Sequence, residues 1–150
     1  TWLKEKLLAS QARFKIILNS VPITDFANLI GEIESDDRWQ GYPSQREEIL
    51  LCIENNSIDG CLWIAGDFHF GCVAKTGAVG DVGHSLYEVL VGPSGSFLNP
   101  AGFLVETEQY LLGISAHNHT RFECNPSTGQ IKIQFIGDEG EIHKELEISV

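Results

Sequence analysis

Cys61-Leu62-Trp63-Ile64-Ala65-Gly66-Asp67-Phe68-His69-Phe70-Gly71 opens as an unbroken apolar run and closes on a glycine, an aspartate and a histidine. A short apolar run bounded by turn residues reads as a strand buried on both faces. In open α/β sheets, chemistry gathers just beyond the carboxyl ends of such strands, which is where Asp67 and His69 stand. If the chain stays extended there, their side chains point to the same side, and Gly66 lets another group approach the backbone. A hard carboxylate oxygen beside a neutral imidazole nitrogen suits a divalent metal such as zinc, iron or manganese. The same two residues read more simply as a turn cap and a surface histidine, and the stretch alone leaves both readings open.

Working outward toward the amino terminus, residues 2–12 have helical spacing, with Leu3, Leu7 and Leu8 on one face. Phe14-Lys15-Ile16-Ile17-Leu18 reads as a strand ending at Asn19-Ser20-Val21-Pro22. Asn19 is therefore a second strand-tip residue, suited either to binding a ligand or to closing its own turn. From Pro22 to Pro43 no periodicity is visible, and a connection that long in a compact domain is usually functional or disordered. It contains Asp37-Arg38-Trp39-Gln40-Gly41-Tyr42-Pro43. Trp39 and Tyr42 pair an apolar body with a polar tip, as a pocket wall requires, and the alternative is that they only pin the loop. Ser44-Gln45-Arg46-Glu47 has the form of a capping box, opening a helix through Ile49, Leu50 and Ile53 that stops near Asn55-Asn56. Arg46 opposes the helix dipole in the first turn, which implies a carboxylate or phosphate partner. Strand, long connection with a helix, and strand make a parallel βαβ unit that brings Asn19 and Asp67 to one edge of a sheet.

Beyond Gly71 the chain is broken by Gly77, Gly80 and Gly83, with His84 among them, before a strand at Tyr87-Glu88-Val89-Leu90-Val91 and a turn at Gly92-Pro93-Ser94-Gly95. Residues 96–116 have no clear pattern. His117-Asn118-His119 has the spacing of a metal-binding pair but reads more simply as the start of a strand. Phe122 and Cys124 alternate with Arg121 and Glu123; Ile131, Ile133 and Phe135 share a face; Ile142, Leu146 and Ile148 line a last strand. Short turns join the three into an antiparallel meander.

With 150 residues, 43% of them hydrophobic and 21% charged, the chain is long enough for one domain with a sizeable core. The net charge of −11 argues against nucleic acid as a partner and means that an anionic substrate needs local cations or metal ions to approach. Cys52, Cys61, Cys72 and Cys124 form no C-x-x-C pair, so neither a zinc ribbon nor a thioredoxin-like motif is supported. No apolar run is long enough to span a membrane. The opening Thr1-Trp2-Leu3-Lys4 lacks the layout of a secretory signal and there is no methionine, so the sequence reads as a piece of a longer polypeptide, with any targeting segment outside it.

Several separated motifs agree on a family. Trp2-Leu3-Lys4, Asp37-Arg38-Trp39-Gln40-Gly41-Tyr42-Pro43 followed by Arg46, Gly66-Asp67-Phe68-His69, and Tyr87-Glu88-Val89 with Gly92-Pro93 resemble, in order and spacing, the C-terminal half of the alkaline phosphatase D (PhoD-like) family, a branch of the calcineurin-like metallophosphoesterases. The resemblance implies residues 1–150 as one domain, the C-terminal half of a catalytic α/β domain of four-layer α/β/β/α sandwich form ending in the antiparallel β-meander. It further implies a two-metal site at the strand tips that hydrolyses small phosphate mono- or diesters, with two cations (Fe, Zn, Mn or Ca) neutralising phosphoryl oxygens. Asp67 and His69 take catalytic and metal-ligand roles on this reading, with Asn19, Trp39, Tyr42 and Arg46 around the substrate. The upstream aspartates, histidine and asparagine of such a site have no counterpart here, so the missing N-terminal half is the partner that completes it, and the 150-residue chain alone is expected to be inactive. The resemblance also suggests an exported enzyme. Two rivals stand beside it: a non-catalytic binding module whose aromatic loop grips an organic ligand, and a degenerate structural homologue.

Overall fold

The computed structural model describes residues 2–30, 35–103 and 107–150. Residues 31–34 of the long connection and 104–106 of the unpatterned segment lie outside the described residues. In chain order the helices are α1 (Trp2–Ala9), α2 (Ala27–Ile30) and α3 (Pro43–Asn55). The strands are β1 (Lys15–Leu18), β2 (Cys61–Ala65), β3 (Gly71–Lys75), β4 (Tyr87–Leu90), β5 (Tyr110–Ile114), β6 (His119–Asn125), β7 (Gln130–Ile136) and β8 (Ile142–Ser149). Short 3-10 turns occupy Ser35–Asp37, Trp39–Gly41 and Pro100–Phe103.

The first five strands form one sheet in the order β1-β2-β4-β3-β5, and the last three form a meander. β2 lies between two parallel neighbours: Leu18 faces Ile64 on one side, and Ala65 faces Leu90 on the other. The expected βαβ unit is therefore present, and β1, β2 and β4 end together. β3 and β5 continue the sheet antiparallel.

Both faces of the large sheet are covered, which is why β2 is apolar throughout. On one face, Leu62, Val73, Val89, Leu112 and Ile114 meet Ile131, Ile133, Phe135 and Ile148 of the meander. The sheets approach closely at Gly71, where a Cβ would lie 2.6 Å from the Phe135 ring and 2.7 Å from Ile114, so only a hydrogen fits. On the other face, Trp63 and Cys61 pack with Leu7 of α1, Leu50 and Ile53 of α3, and Ile23. A second cluster there gathers Phe26, Phe68, Phe70, Cys72 and Tyr110. Helices, five-stranded sheet and meander thus stack as three layers.

Several local expectations are corrected. Helix α1 stops at Ala9, and Leu8 is exposed instead of sharing the buried face of Leu7. The capping box does not form. Pro43 sits in the first turn of α3, where its missing N–H costs nothing, so Tyr42 becomes the N-cap, with no side-chain hydrogen bond, and its carbonyl accepts from Gln45 and Arg46. In the meander, a bulge between Phe135 and Ile136 shifts the register, and Ile142 faces outward. Cys61 and Cys72 are buried thiols, Cys61 raised by burial to about 11, whereas Cys52, whose apolar surroundings in sequence suggest a buried thiol, is half-buried.

Candidate functional site at the strand tips

The parallel strands deliver their last residues to one edge. Asn19 N–H donates to Ile64 O at 2.9 Å, and Val91 N–H to Ala65 O at 2.8 Å, so the ladder runs one residue past each strand before the chain turns away. Asn19 and Asp67 thus both lie beyond the carboxyl ends of neighbouring parallel strands, at one edge of the sheet, as the sequence predicts.

The turn beyond β2 differs from expectation. It is not extended: Asp67 has φ +75° and His69 φ +59°, in the left-handed region that side chains other than glycine seldom adopt. Phe68 N–H donates back to Gly66 O at 3.0 Å, the i to i+2 bond of a γ-turn centred on Asp67, which with positive φ is a rare and strained form. The strain has a visible purpose. It sends Phe68 inward, 5.1 Å from the Phe26 ring and 6.1 Å from that of Phe70, and leaves Asp67 and His69 on its two flanks. Gly66 itself has open space where a Cβ would sit, so the close approach expected there is absent. Asn99 fixes the turn from below: its Nδ2 donates to Phe68 O at 3.0 Å and its backbone N–H to His69 O at 3.0 Å.

The polar groups at the edge are incompletely matched. His69 Nδ1 is buried without a hydrogen-bond partner, and its ring leans on Phe97 at 4.2 Å. Asn19 Oδ1 accepts from Ser20 N–H at 3.2 Å, and its Nδ2 is buried without a hydrogen-bond partner. Arg38 reaches across from the 3-10 segment. Its Nε lies 3.9 Å from Asp67 Oδ2 and 3.8 Å from Asp37, with the guanidinium carbon 4.6 Å above the Phe68 ring. Among the described residues, no three His, Cys, Asp or Glu side chains gather closely enough to hold a metal ion.

Beside the edge lies a groove of about 310 Å³ whose lining includes Asn19, Arg38, Trp39 and Tyr42. Trp39 also packs against the cluster around Leu50 and Ile53. A second hollow of about 370 Å³ sits at the opposite, amino ends of β2 and β4, near Cys61 and Tyr87.

Arg46 lies elsewhere. Its Nε donates to Ile23 O at 2.6 Å, and a terminal nitrogen donates to Thr76 O. Its partners are backbone carbonyls instead of the carboxylate or phosphate expected from its helix position. Burial lowers its pKa, with Asp25 and Glu88 opposing that shift. Glu88, in the middle of β4, is fully buried and accepts from Ile23 N–H at 2.9 Å and Thr24 N–H at 2.7 Å. Burial pushes its pKa up, and those bonds together with Arg46 partly offset the shift. Together Arg46 and Glu88 clamp the segment that carries Phe26, and so the aromatic floor under Phe68. Arg38, Asn99 and the clamp role of Glu88 were not foreseen from sequence, because each acts on residues far away along the chain.

A mixed sheet layered between helices and a second sheet, with polar side chains converging where its parallel strands end, defines an α/β sandwich protein with a strand-tip site. The profile of PhoD-like phosphatases matches residues 1–144, and the chain belongs to that family. Over 70 residues it is 29% identical to alkaline phosphatase D of Bacillus subtilis (strain 168), a stretch covering 45% of this chain and 12% of that protein. The solved structure of PhoD superposes on 99% of this chain with a TM-score of 0.69 at 18% identity, and the match covers 30% of the PhoD chain. The chain thus spans only a part of the relatives it matches.

Proposed function

We propose that this chain supplies part of the active site of a metal-dependent phosphoesterase, an alkaline phosphatase-like hydrolase of small phosphate mono- or diesters. One observation carries the reading: Asp67 and His69 are both held in left-handed backbone at the tip of a central parallel strand. Such strain is retained where function requires a side chain in one place.

The donor set fits a metal in part. Asp67 brings anionic oxygen and His69 an imidazole nitrogen with no protein partner, a pairing that iron, zinc or manganese accepts, with calcium taking the carboxylate alone. Bound metal ions would supply Lewis-acid charge at the phosphoryl group. The remaining tasks fall to this chain's own residues. Asp67 anchors charge at the strand tip. His69 Nδ1 holds a ligand or carries a proton at the leaving group. Asn19 meets a substrate oxygen, and Trp39 and Tyr42 wall the organic part. The other ligands belong to the remainder of the full-length polypeptide.

The test is metal analysis and phosphoester turnover of the full-length protein. Stoichiometric bound metal, with hydrolysis of a chromogenic phosphoester lost on chelation and restored by metal, is the expected result. A metal-free protein that binds organic ligands without turnover would establish the binding-module reading instead.

A further inference from the structure

We propose that Phe97 is a specificity-determining residue of this site: its exposed ring, set against His69, is the surface on which the carbon skeleton next to the ester oxygen rests. The proposal rests on the phosphoesterase reading, in which His69 stands at the reacting group, and adds to it the residue that receives the organic side of the bond.

Contact comes first. The Phe97 and His69 rings lie 4.2 Å apart at a tilt of 58°, so a group brought up to the imidazole on that side also meets Phe97. Exposure comes second. Phe97 is 76% exposed, although it borders a ring whose Nδ1 is buried without a hydrogen-bond partner. One exposed phenylalanine is ordinary on a protein surface; this one borders the strand-tip turn.

The third observation is the bracing of its segment. His117 Nε2 donates to Ser96 O at 2.8 Å, immediately before Phe97. Two residues after it, Asn99 N–H donates to His69 O and Asn99 Nδ2 to Phe68 O, each at 3.0 Å. Ser115 Oγ donates to Asn99 O at 2.8 Å. β5 is antiparallel to β3, as β4 is, so its carboxyl end, which Ser115 and His117 follow, reaches the same edge as that of β4. The residues flanking Phe97 are thus tied both to the turn that carries His69 and to the tip of β5. A ring on so anchored a segment needs little reordering when a ligand covers it.

Trp39 and Tyr42 line the groove with Arg38, and His69 is not part of that lining. A proton donor must come within hydrogen-bond reach of the leaving oxygen, which brings the carbon atoms attached to that oxygen alongside the donor and onto Phe97. Apolar and aromatic skeletons gain from that contact, whereas bare phosphate has nothing to lay on the ring.

The experiment uses the full-length, metal-loaded protein with its Phe97→Ala and Phe97→Tyr variants. Hydrolysis of phenyl phosphate and methyl phosphate is read beside calorimetric binding of phenylphosphonate and inorganic phosphate. Phe97→Ala should raise KM for phenyl phosphate and weaken phenylphosphonate binding, each about threefold to tenfold. The preference in kcat/KM for the phenyl over the methyl ester should fall by the same factor. Inorganic phosphate should bind Phe97→Ala as it binds wild type, and Phe97→Tyr, which keeps the ring, should keep the preference. Equal losses with the phenyl and methyl esters would overturn the proposal, because Phe97 would then be positioning His69. An unchanged preference would overturn it too, and a fall in melting temperature alongside would assign the ring to contact with the rest of the polypeptide. A wild-type protein that hydrolyses neither ester would sink the phosphoesterase reading. Phenylphosphonate binding that weakens in Phe97→Ala would then leave the aromatic surface standing, and its absence would sink both.

Discussion

Asn99 Nδ2 donates to the carbonyl of Phe68 at 3.0 Å, and this bond reaches the peptide that separates Asp67 from His69. The same side chain accepts from Ala101 N–H at 2.9 Å through Oδ1. Asn99→Ala removes both bonds and should destabilise the protein by about 1–3 kcal/mol in urea titrations. It should also lower kcat more than it changes KM, because the turn it releases carries the reacting edge. Asn99→Asp keeps the acceptor for Ala101 and loses the donor for Phe68. An Asp variant with wild-type kcat would show that the turn holds itself.

Asp67→Asn and His69→Ala, in the full-length protein, should each cut turnover at least about a hundredfold, since charge placed at the transition state contributes more than packing here. Near-normal turnover by either would remove that residue from the site. Asp67→Gly adds a separate readout. At φ +75° glycine fits without strain, so this variant should lose activity while remaining as stable as wild type or gaining up to about 1 kcal/mol. A clear loss of stability in Asp67→Gly would mean that the aspartate is kept for the fold.

The groove walls should govern binding more than chemistry. Trp39 is anchored in the core cluster, so Trp39→Ala should raise KM and lower the melting temperature together. Tyr42 is 52% exposed and isolates the binding role: Tyr42→Ala should raise KM for an aryl phosphate several-fold with no change in thermal stability. That is the pattern of lost uniform binding. An unchanged KM would confine Tyr42 to capping α3.

Glu88 gives a pH signature with a definite sign. Its folded pKa lies above the ordinary 4.5, so between that value and the raised one the folded state binds more protons than the unfolded chain. Its contribution to stability is complete below about pH 4.5 and is lost as pH rises through the folded pKa. Glu88→Gln removes the titration. Wild type should therefore lose unfolding free energy relative to Glu88→Gln as pH rises through the folded pKa of Glu88. A difference independent of pH would show that Glu88 titrates alike in the folded and the unfolded chain.

The strands that could be read from sequence were those with an uninterrupted chemical signal. β2 is apolar at every position, the meander strands alternate, and the spacing of β1, α3 and β2 dictates a parallel unit. β3 went unseen because Gly71-Cys72-Val73-Ala74-Lys75 offers small residues between glycines, and its strand character comes from the neighbours on both sides. β5 was hidden in the segment after Gly95, where the apolar Tyr110-Leu111-Leu112 is cut by Gly113 and no alternation is visible. At the strand tip, Asp67 and His69 were legible as candidates but their backbone was not. The γ-turn depends on Phe68 finding Phe26 and Asn99, partners that no local pattern announces. Ser44 misled because Pro43 outranked it as a helix start.

The isolated chain should be catalytically silent and prone to aggregate. β1 ends the large sheet, paired on one side with β2. Around it Trp2, Leu8, Ile16 and Leu18 are exposed, Leu18 at 77%. An apolar edge with unpaired backbone groups recruits other strands. Residues 1–150 should show no metal-dependent hydrolysis, and co-expression with the remainder of the polypeptide should restore solubility and activity together. Robust turnover by the purified 150 residues would mean that the site lies elsewhere, with His84, His117 or His119 taking the ligand roles.

The sheet arrangement also fixes an order of assembly. β6, β7 and β8 pair through short turns, so their contacts close small loops quickly, whereas Lys15 must find Cys61 across the whole α2–α3 connection. The meander should therefore form early and present Ile131, Ile133 and Phe135 as a surface for β2, β3 and β4. On a ribosome those most local contacts are made after β1 and β2, so the strands synthesised first precede the layer that covers them.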